Sequence, residues 1–364
     1  MAHPSAIGAR PVREDVRRSD KRRNPNTGYV AEHFVGQRSA RLRAISLTDD
    51  ITGIFSRYFL VGFFLPASFS WLILWATASH SYVPHDFAAD TITAKLVTLG
   101  VLALLTALAL SGLNYSLMRF FEGYPLVTCK DAPLVRAMYC RLLKRQQKRF
   151  DRIRGKKEND KMDGMARGRA AWELDRSFPA NRTRILPTSF GNAVRAFESH
   201  ADARYGLDDV VAYPRIEMLM TKTAREPLIE ARIDVNVSMN AVIGAILVGI
   251  ALLVDEAVHR PQPWELSWMY LAPFFLAYLL HLPMTGAAIR WGAEVRAAID
   301  LHRLELYERL GVRTPASPSD ERKIATAVSY LLMAGEKLDD SLWQSHTCDR
   351  ETKSHSGDAD TDEA

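Results

Sequence analysis

Four polar side chains sit inside stretches that are otherwise apolar. Asn114 lies in VTLGVLALLTALALSGLNYSLM, Asn236 and Asn240 in VNVSMNAVIGAILVGIALLV, and His281 in LSWMYLAPFFLAYLLHLPMTGA. Carboxamides and an imidazole in such surroundings have two uses. They can hydrogen-bond across helices at about 1 kcal/mol each, or they can line a water-filled vestibule in which the histidine responds to protons. Interhelical bonding is the simpler expectation. A second set, Arg195, Glu198, Arg204, Asp208 and Arg215, is of mixed sign and lies in LPTSFGNAVRAFESHADARYGLDDVVAYPR. It could clamp a small anionic ligand or dock a partner, or it could pair internally as a salt-bridge and capping network, which is again the plainer reading. A third group, His80, His85, Asp86, Asp255, Glu256 and His259, has side chains able to ligate a divalent metal. Its spacing fits no metal template, so scattered loop residues are expected and no metal.

Familiar catalytic signatures are missing. The chain has no G-x-x-x-x-G-K-[ST] phosphate loop, no G-x-G-x-x-G, no G-x-S-x-G elbow and no H-E-x-x-H pair, so an enzyme is not expected, nor a cofactor. Cys129, Cys140 and Cys348 match no C-x-x-C spacing and read as reduced structural thiols. From Arg141 to Lys157 one helix face is almost entirely basic. Interleaved aromatics that stack bases are nearly absent from it, so nucleic acid is not expected; a solvated face or contact with anionic lipid headgroups remains.

These residues must be positioned by helices of two kinds. The 364-residue chain is 48% hydrophobic and 24% charged, but those averages mix two phases. The apolar residues gather in four runs of roughly twenty, each long enough to cross about 30 Å of hydrocarbon: Tyr58 to Ala78, Val97 to Met118, Val235 to Val254, and Leu266 to Ala287. The expected fold class is therefore all-α, with four transmembrane helices and a helical cytoplasmic domain. Lys and Arg crowd the N-terminal arm, the Arg119 to Asp234 segment and the region after Ile289, whereas the two short connections hold only Lys95 and Arg260. By the positive-inside rule both termini and the long loop are cytoplasmic. No apolar core of a signal peptide occurs in the first fifty residues, so the first span is expected to direct insertion. In this orientation Asn114, Asn240 and His281 share a layer about 6 to 9 Å below the inner interface, with Asn236, Ser111 and Thr285 around it.

The expected organisation is a disordered basic arm over 1–45, an interfacial helix and two spans over 46–118, a cytoplasmic helical loop domain over 119–234, and two spans over 235–287. Cytoplasmic helices over 288–345 and a disordered acidic tail over 346–364 complete the chain. Within the loop domain, Gly155 and Gly164 should break a helical hairpin, Pro187 and Thr188 should start a helix that Gly206 ends, and Pro214 should sit in the first turn of the next. Ser319 should cap the last helix. Pro273 and Pro283 should bend the fourth span. Small residues recur every four positions at Gly62, Pro66 and Ser70, at Ala103, Ala107 and Ser111, and at Ala241, Ala245 and Gly249. Such rows are close-packing faces, used within one chain or between copies in a homo-oligomer.

The segments LPTSFGNAVRAFE, ARYGLDDVVAYPR, ARIDVNVS and LELYERLGV together resemble a family of uncharacterised actinobacterial multi-pass membrane proteins. The resemblance runs from about Thr48 to Leu332 and is most specific in the patterns LPT-x-x-GN-x-x-RA-x-E and RYG-x-D. It implies residence in a bacterial inner membrane and no particular activity. Ser189 stands where that family usually has a basic residue. The expected function is a membrane scaffold whose cytoplasmic helices bind a protein partner or the anionic lipid surface. The alternative is a homo-oligomeric channel or transporter, because the layout, though not any pore residue, resembles that of bestrophin-type anion channels.

Overall fold

An apolar run can enter a nonpolar phase only if its backbone groups are paired, and among the described residues helices pair most of them. The structure, a computed structural model, describes residues 56–77, 92–129, 131–259 and 268–343. The basic arm, the interfacial helix, the acidic tail, Cys348, and His80, His85, Asp86 and the His259 side chain of the candidate metal group lie outside the described residues or side chains. Among the described residues the fold is all-α; its one β-type pairing is an isolated bridge between Val312 and Trp343. Four segments are long and apolar enough to cross a membrane: Arg57–Thr77, Ile92–Glu122, Lys222–Ala257 and Tyr270–Arg309.

We number the helices α1 (Arg57–Thr77), α2 (Ile92–Glu122), α3 (Tyr124–Thr128), α4 (Pro133–Glu158), α5 (Gly164–Ser177), α6 (Ser189–Glu198), α7 (His200–Tyr205), α8 (Asp209–Leu219), α9 (Lys222–His259), α10 (Trp268–His281), α11 (Met284–Arg309) and α12 (Pro318–Ala334). The apolar bundle is α1, α2, α9 and α10. Helix α9 has 38 residues, about 57 Å at 1.5 Å per residue. Its near half belongs to the polar domain and its far half to the bundle. The third span is thus the continuation of a helix that begins thirteen residues earlier than the apolar run alone indicates, at Lys222 instead of Val235.

Helix α1 carries a defect that the sequence reading did not anticipate. Pro66 has no N–H to give to the Gly62 carbonyl four residues back, and the turn Leu60–Phe64 opens into a π-helix, with the Leu65 N–H bonded to the Leu60 carbonyl. Asn240 of α9, fully buried, donates its Nδ2 to the Gly62 carbonyl at 2.7 Å. One turn earlier, Asn236 Nδ2 donates to the Tyr58 hydroxyl at 2.7 Å. Each asparagine therefore links α9 to α1. Small residues bring the two helices close enough: a Cβ on Gly244 would stand 2.1 Å from Ser70 Oγ and would require that hydroxyl to turn away. On α2, Ala103 and Ala107 are buried, and Ala107 packs with Phe59, Phe63 and Ala67 of α1. The buried members of the small-residue rows, among them Gly62, Ala103, Ala107 and Ala245, pack within the chain, whereas Ser111 is exposed.

The polar domain has one main core. Phe190, Val194 and Phe197 of α6, Ala212 and Ile216 of α8, Val235 and Met239 of α9, Met284, Val295 and Ile299 of α11, and Ile324 and Val328 of α12 are buried together. Helix α11 supplies much of it because Met284, Ala288, Gly292, Val295, Ile299 and Leu306 fall on one face. The α4–α5 hairpin has its own smaller core of Phe150, Ile153, Ala170, Phe178 and Ile185.

Several boundaries differ from the sequence expectation. Helix α4 runs through Gly155 to Glu158, because one exposed glycine costs a helix only about 1 kcal/mol. Along α4, Met138 is exposed, whereas Phe150 and Ile153 are buried. The helix after Thr188 is interrupted at Ser199 and resumes as α7, which Gly206 ends with φ of 80°. Pro214 lies inside α8 and not in its first turn, because Asp208 caps that helix earlier by accepting from the Val210 and Val211 N–H groups. The last helix is capped by Ser317, not Ser319. The fourth span breaks at Pro283 into α10 and α11, with the Leu282 N–H taken by the Leu279 carbonyl at 3.2 Å.

Replacing Asn240 by leucine removes the donor and leaves the Gly62 carbonyl buried and unpaired, a loss of about 1 to 3 kcal/mol. The detergent-solubilised Asn240→Leu protein should melt at lower temperature than the wild type; an unchanged melting temperature would show that the bond carries no stability. Asp209 offers a pH test. Its carboxyl accepts from the Ala201 N–H at 2.9 Å and the Asp202 N–H at 3.3 Å, yet burial pushes it up to about 8. A raised acid stabilises the fold fully below its unfolded value of about 3.9 and loses that contribution as pH rises through about 8. Asp209→Asn should accordingly flatten the fall in melting temperature between acidic and mildly alkaline pH, and parallel curves would remove this account.

Candidate functional site

The junction between α2 and α6 is built by the segment Leu186 to Glu198. Thr188 acts in two directions: its Oγ1 accepts from the Gly191 N–H at 3.0 Å, capping α6, and donates to the Glu122 carbonyl at 2.8 Å, satisfying the open C-terminal end of α2. Asn192, fully buried, closes the preceding loop; its Oδ1 accepts from the Leu186 N–H at 2.7 Å and its Nδ2 donates to the carbonyls of Leu186 at 2.9 Å and Thr188 at 2.8 Å. Gly191 is where α6 touches α2, since a Cβ there would meet the Glu122 carbonyl at 2.4 Å. Thr188, Gly191 and Asn192 of the LPT-x-x-GN pattern thus each have a mechanical role.

Around this junction lies a polar cluster. Arg195 donates to the Tyr124 hydroxyl and pairs with Glu198 at 3.6 Å. Arg119 lies 3.9 Å over the Tyr124 ring and 3.3 Å from Glu122. Tyr124 is held in its neutral form by burial, which raises its pKa above the ordinary phenol value. The second pattern, RYG-x-D, sits elsewhere and is equally structural. Asp300 of α11 accepts from the Tyr205 hydroxyl at 2.8 Å, lies 3.0 Å from His200 Nε2 and pairs with Arg204 at 3.5 Å. Arg215 donates to the Val211 carbonyl at 2.5 Å. The five residues Arg195, Glu198, Arg204, Asp208 and Arg215 therefore do not converge on one surface. Arg195 and Glu198 belong to the α2 junction, Arg204 to the α11 contact, and Asp208 and Arg215 to α8.

The intramembrane set also divides. Asn236 and Asn240 face α1. Asn114 is half-buried on α2, and the Oδ1 atoms of all three asparagines have no hydrogen-bond partner among the described residues. His281 is exposed at the polar end of α10 and stacks on Phe121 at 6.2 Å between centroids. Asp255 is buried at the opposite end of the bundle, and no group of metal-ligating side chains forms among the described residues.

His281 does open onto a cavity. A cleft of about 980 Å³ separates α4 from the polar end of α10. One wall is Arg141, Lys144, Arg145, Lys148, Arg149 and Arg152; the other is Tyr278, His281, Leu282 and Thr285; Thr188 and Ser189 form part of the floor. Helical geometry puts these cations together: Arg141, Arg145, Lys148 and Arg152 are spaced four, three and four residues apart and so share one face. Arg149 is shared with Glu173 at 3.6 Å, whereas the other five cations have no ion pair among the described residues, and no acidic residue lines the cleft. Gln146, buried at the base, donates to Ser189 Oγ at 3.0 Å and so ties α4 to the start of α6. The basic run of α4 was visible in the sequence. Its juxtaposition with α10 was not, because nothing local in either helix names the other.

The α2–α6 contact gives a direct test. Gly191→Ala drives a methyl group into the Glu122 carbonyl and should destabilise the protein by about 1 to 3 kcal/mol, read as a lower melting temperature; a wild-type melting curve would mean that α6 sits further from α2 than described. Set against known proteins, this chain is matched by no family model, no curated protein and no solved structure.

Proposed function

We propose that this chain is a four-span scaffold of a bacterial inner membrane, with both termini and the helical domain in the cytoplasm, and that the domain presents its basic α4 face to the anionic leaflet. The observation that carries the reading is the α4–α10 cleft. Five cations without ion pairs among the described residues stand at the polar end of an apolar helix, where a bilayer places its phosphates. Each Lys or Arg near an anionic membrane surface contributes about 1 kcal/mol, so the set is large enough to hold the hairpin there. The wide α9 and α11 contacts give the domain a rigid mount. Asn236 and Asn240, two of the four candidate intramembrane polar side chains, spend their amide donors on α1, which favours scaffold over channel. A protein partner would then meet a domain already oriented on the membrane.

Reconstitution separates the outcomes. In nanodiscs containing anionic lipid, the α4 amides and the trypsin sites from Arg141 to Lys157 should be protected relative to purely zwitterionic nanodiscs, and high salt should reverse the effect. Equal protection in both lipids would overturn the leaflet reading. Ion flux from proteoliposomes above background would restore the channel.

A further inference from the structure

The cleft has a second feature that charge alone does not account for. Leu271, Phe275 and Tyr278 of α10 and Leu282 of the turn that follows it are spaced four, three and four residues apart and are 50%, 63%, 60% and 56% exposed. They form a continuous apolar strip on the outside of the bundle, and its polar end, Tyr278 and Leu282, is the wall of the basic cleft. Cations at one end of an apolar strip reproduce the two halves of a phospholipid. A solvated helix face needs no cavity, and a site for free phosphate needs no strip running away from it into the bilayer.

The geometry points to a stoichiometric site for one anionic phospholipid, resting on the leaflet reading above. Its phosphodiester lies among Arg141, Arg145, Lys148 and Arg152, and one acyl chain runs along the Leu271 to Leu282 strip. Arginine donates to phosphate through paired N–H groups whereas lysine acts as a point charge, and three of these four residues are arginine. Thr188, Ser189 and Thr285 add hydroxyls at the lining that can serve a glycerol or a second phosphate. The volume of about 980 Å³ exceeds what one phosphate group fills and lies near the top of the range of about 300 to 1,000 Å³ found for small-molecule pockets. The site is in lateral contact with the bilayer, so its ligand arrives from the leaflet and not from solution.

Native mass spectrometry of the full chain in mild detergent tests this. Added phosphatidylglycerol or cardiolipin should give one retained lipid per chain, and phosphatidylcholine none. The double variant Arg145→Gln, Lys148→Gln should weaken retention at least tenfold, while Lys157→Gln, which removes a cation outside the cleft, should leave it unchanged. Both variants should melt like the wild type, and a variant that does not is replaced by Arg152→Gln alone. Competition by inorganic phosphate at concentrations comparable to the lipid would overturn the proposal in favour of a soluble-anion site. Loss of lipid equally from the cleft variant and from Lys157→Gln would reduce it to general attraction. In that last case the salt-reversible protection of α4 in anionic nanodiscs would persist, so the lipid site would fail while the leaflet reading stood.

Discussion

An apolar phase offers no partner to a backbone amide or carbonyl, and the arrangement of this protein follows from meeting that constraint at three helix interruptions. Pro66 leaves the Gly62 carbonyl without its usual donor, and Asn240 supplies one from α9. Helix α2 ends with an open carbonyl at Glu122, and Thr188 supplies the donor from the start of α6. At Pro283 the fourth span breaks, and the Leu282 amide closes back on Leu279. Two of these three repairs are made by a side chain far away in sequence. They therefore fix tertiary contacts as well as satisfy the backbone: the first joins α1 to α9, and the second joins the bundle to the polar domain.

The domain and the bundle are consequently one mechanical body along α9 and α11. Val235, Met239 and Met284, near the polar end of the apolar segments, are buried in the same core as Phe197, Ile216 and Ile324 of the domain. Moving the domain against the bundle would expose that core. The α4–α5 hairpin is different, because it has its own core and faces α10 across the open cleft. Function is best sought where packing does not dictate position, and on that ground the hairpin's basic face is a better candidate than the mixed-sign Leu186 to Arg215 segment. The distinctive residues of that segment, Thr188, Gly191, Asn192, Tyr205 and Asp208, are accounted for by caps, a close approach and interhelical bonds.

The two most specific sequence patterns thus describe construction. Asn192 is satisfied by three hydrogen bonds within its own loop, and Asp208 by the first turn of α8. The helix starts and stops around them were legible because capping is local: a Thr, Asp or Gly at a helix end acts on backbone groups two to four residues away. The exceptions are instructive in the same terms. Pro214 lies inside α8 because the Asp208 cap starts that helix earlier, and α4 passes through the exposed Gly155 because one glycine costs a helix only about 1 kcal/mol.

By itself, the sequence determined the all-α class, the four apolar segments, the basic face of α4 and the asparagines that had to find partners, because composition, period and capping act within one helix or one turn. Tertiary structure alone decided that Asn240 answers Pro66, that Thr188 closes α2, that the mixed-sign residues split among three separate contacts, and that the α4 cations face Tyr278 and Leu282 across a cleft. The Asn240, Thr188 and α4–α10 contacts each pair two segments tens of residues or more apart, and no local propensity encodes which distant backbone group or helix face a side chain will meet.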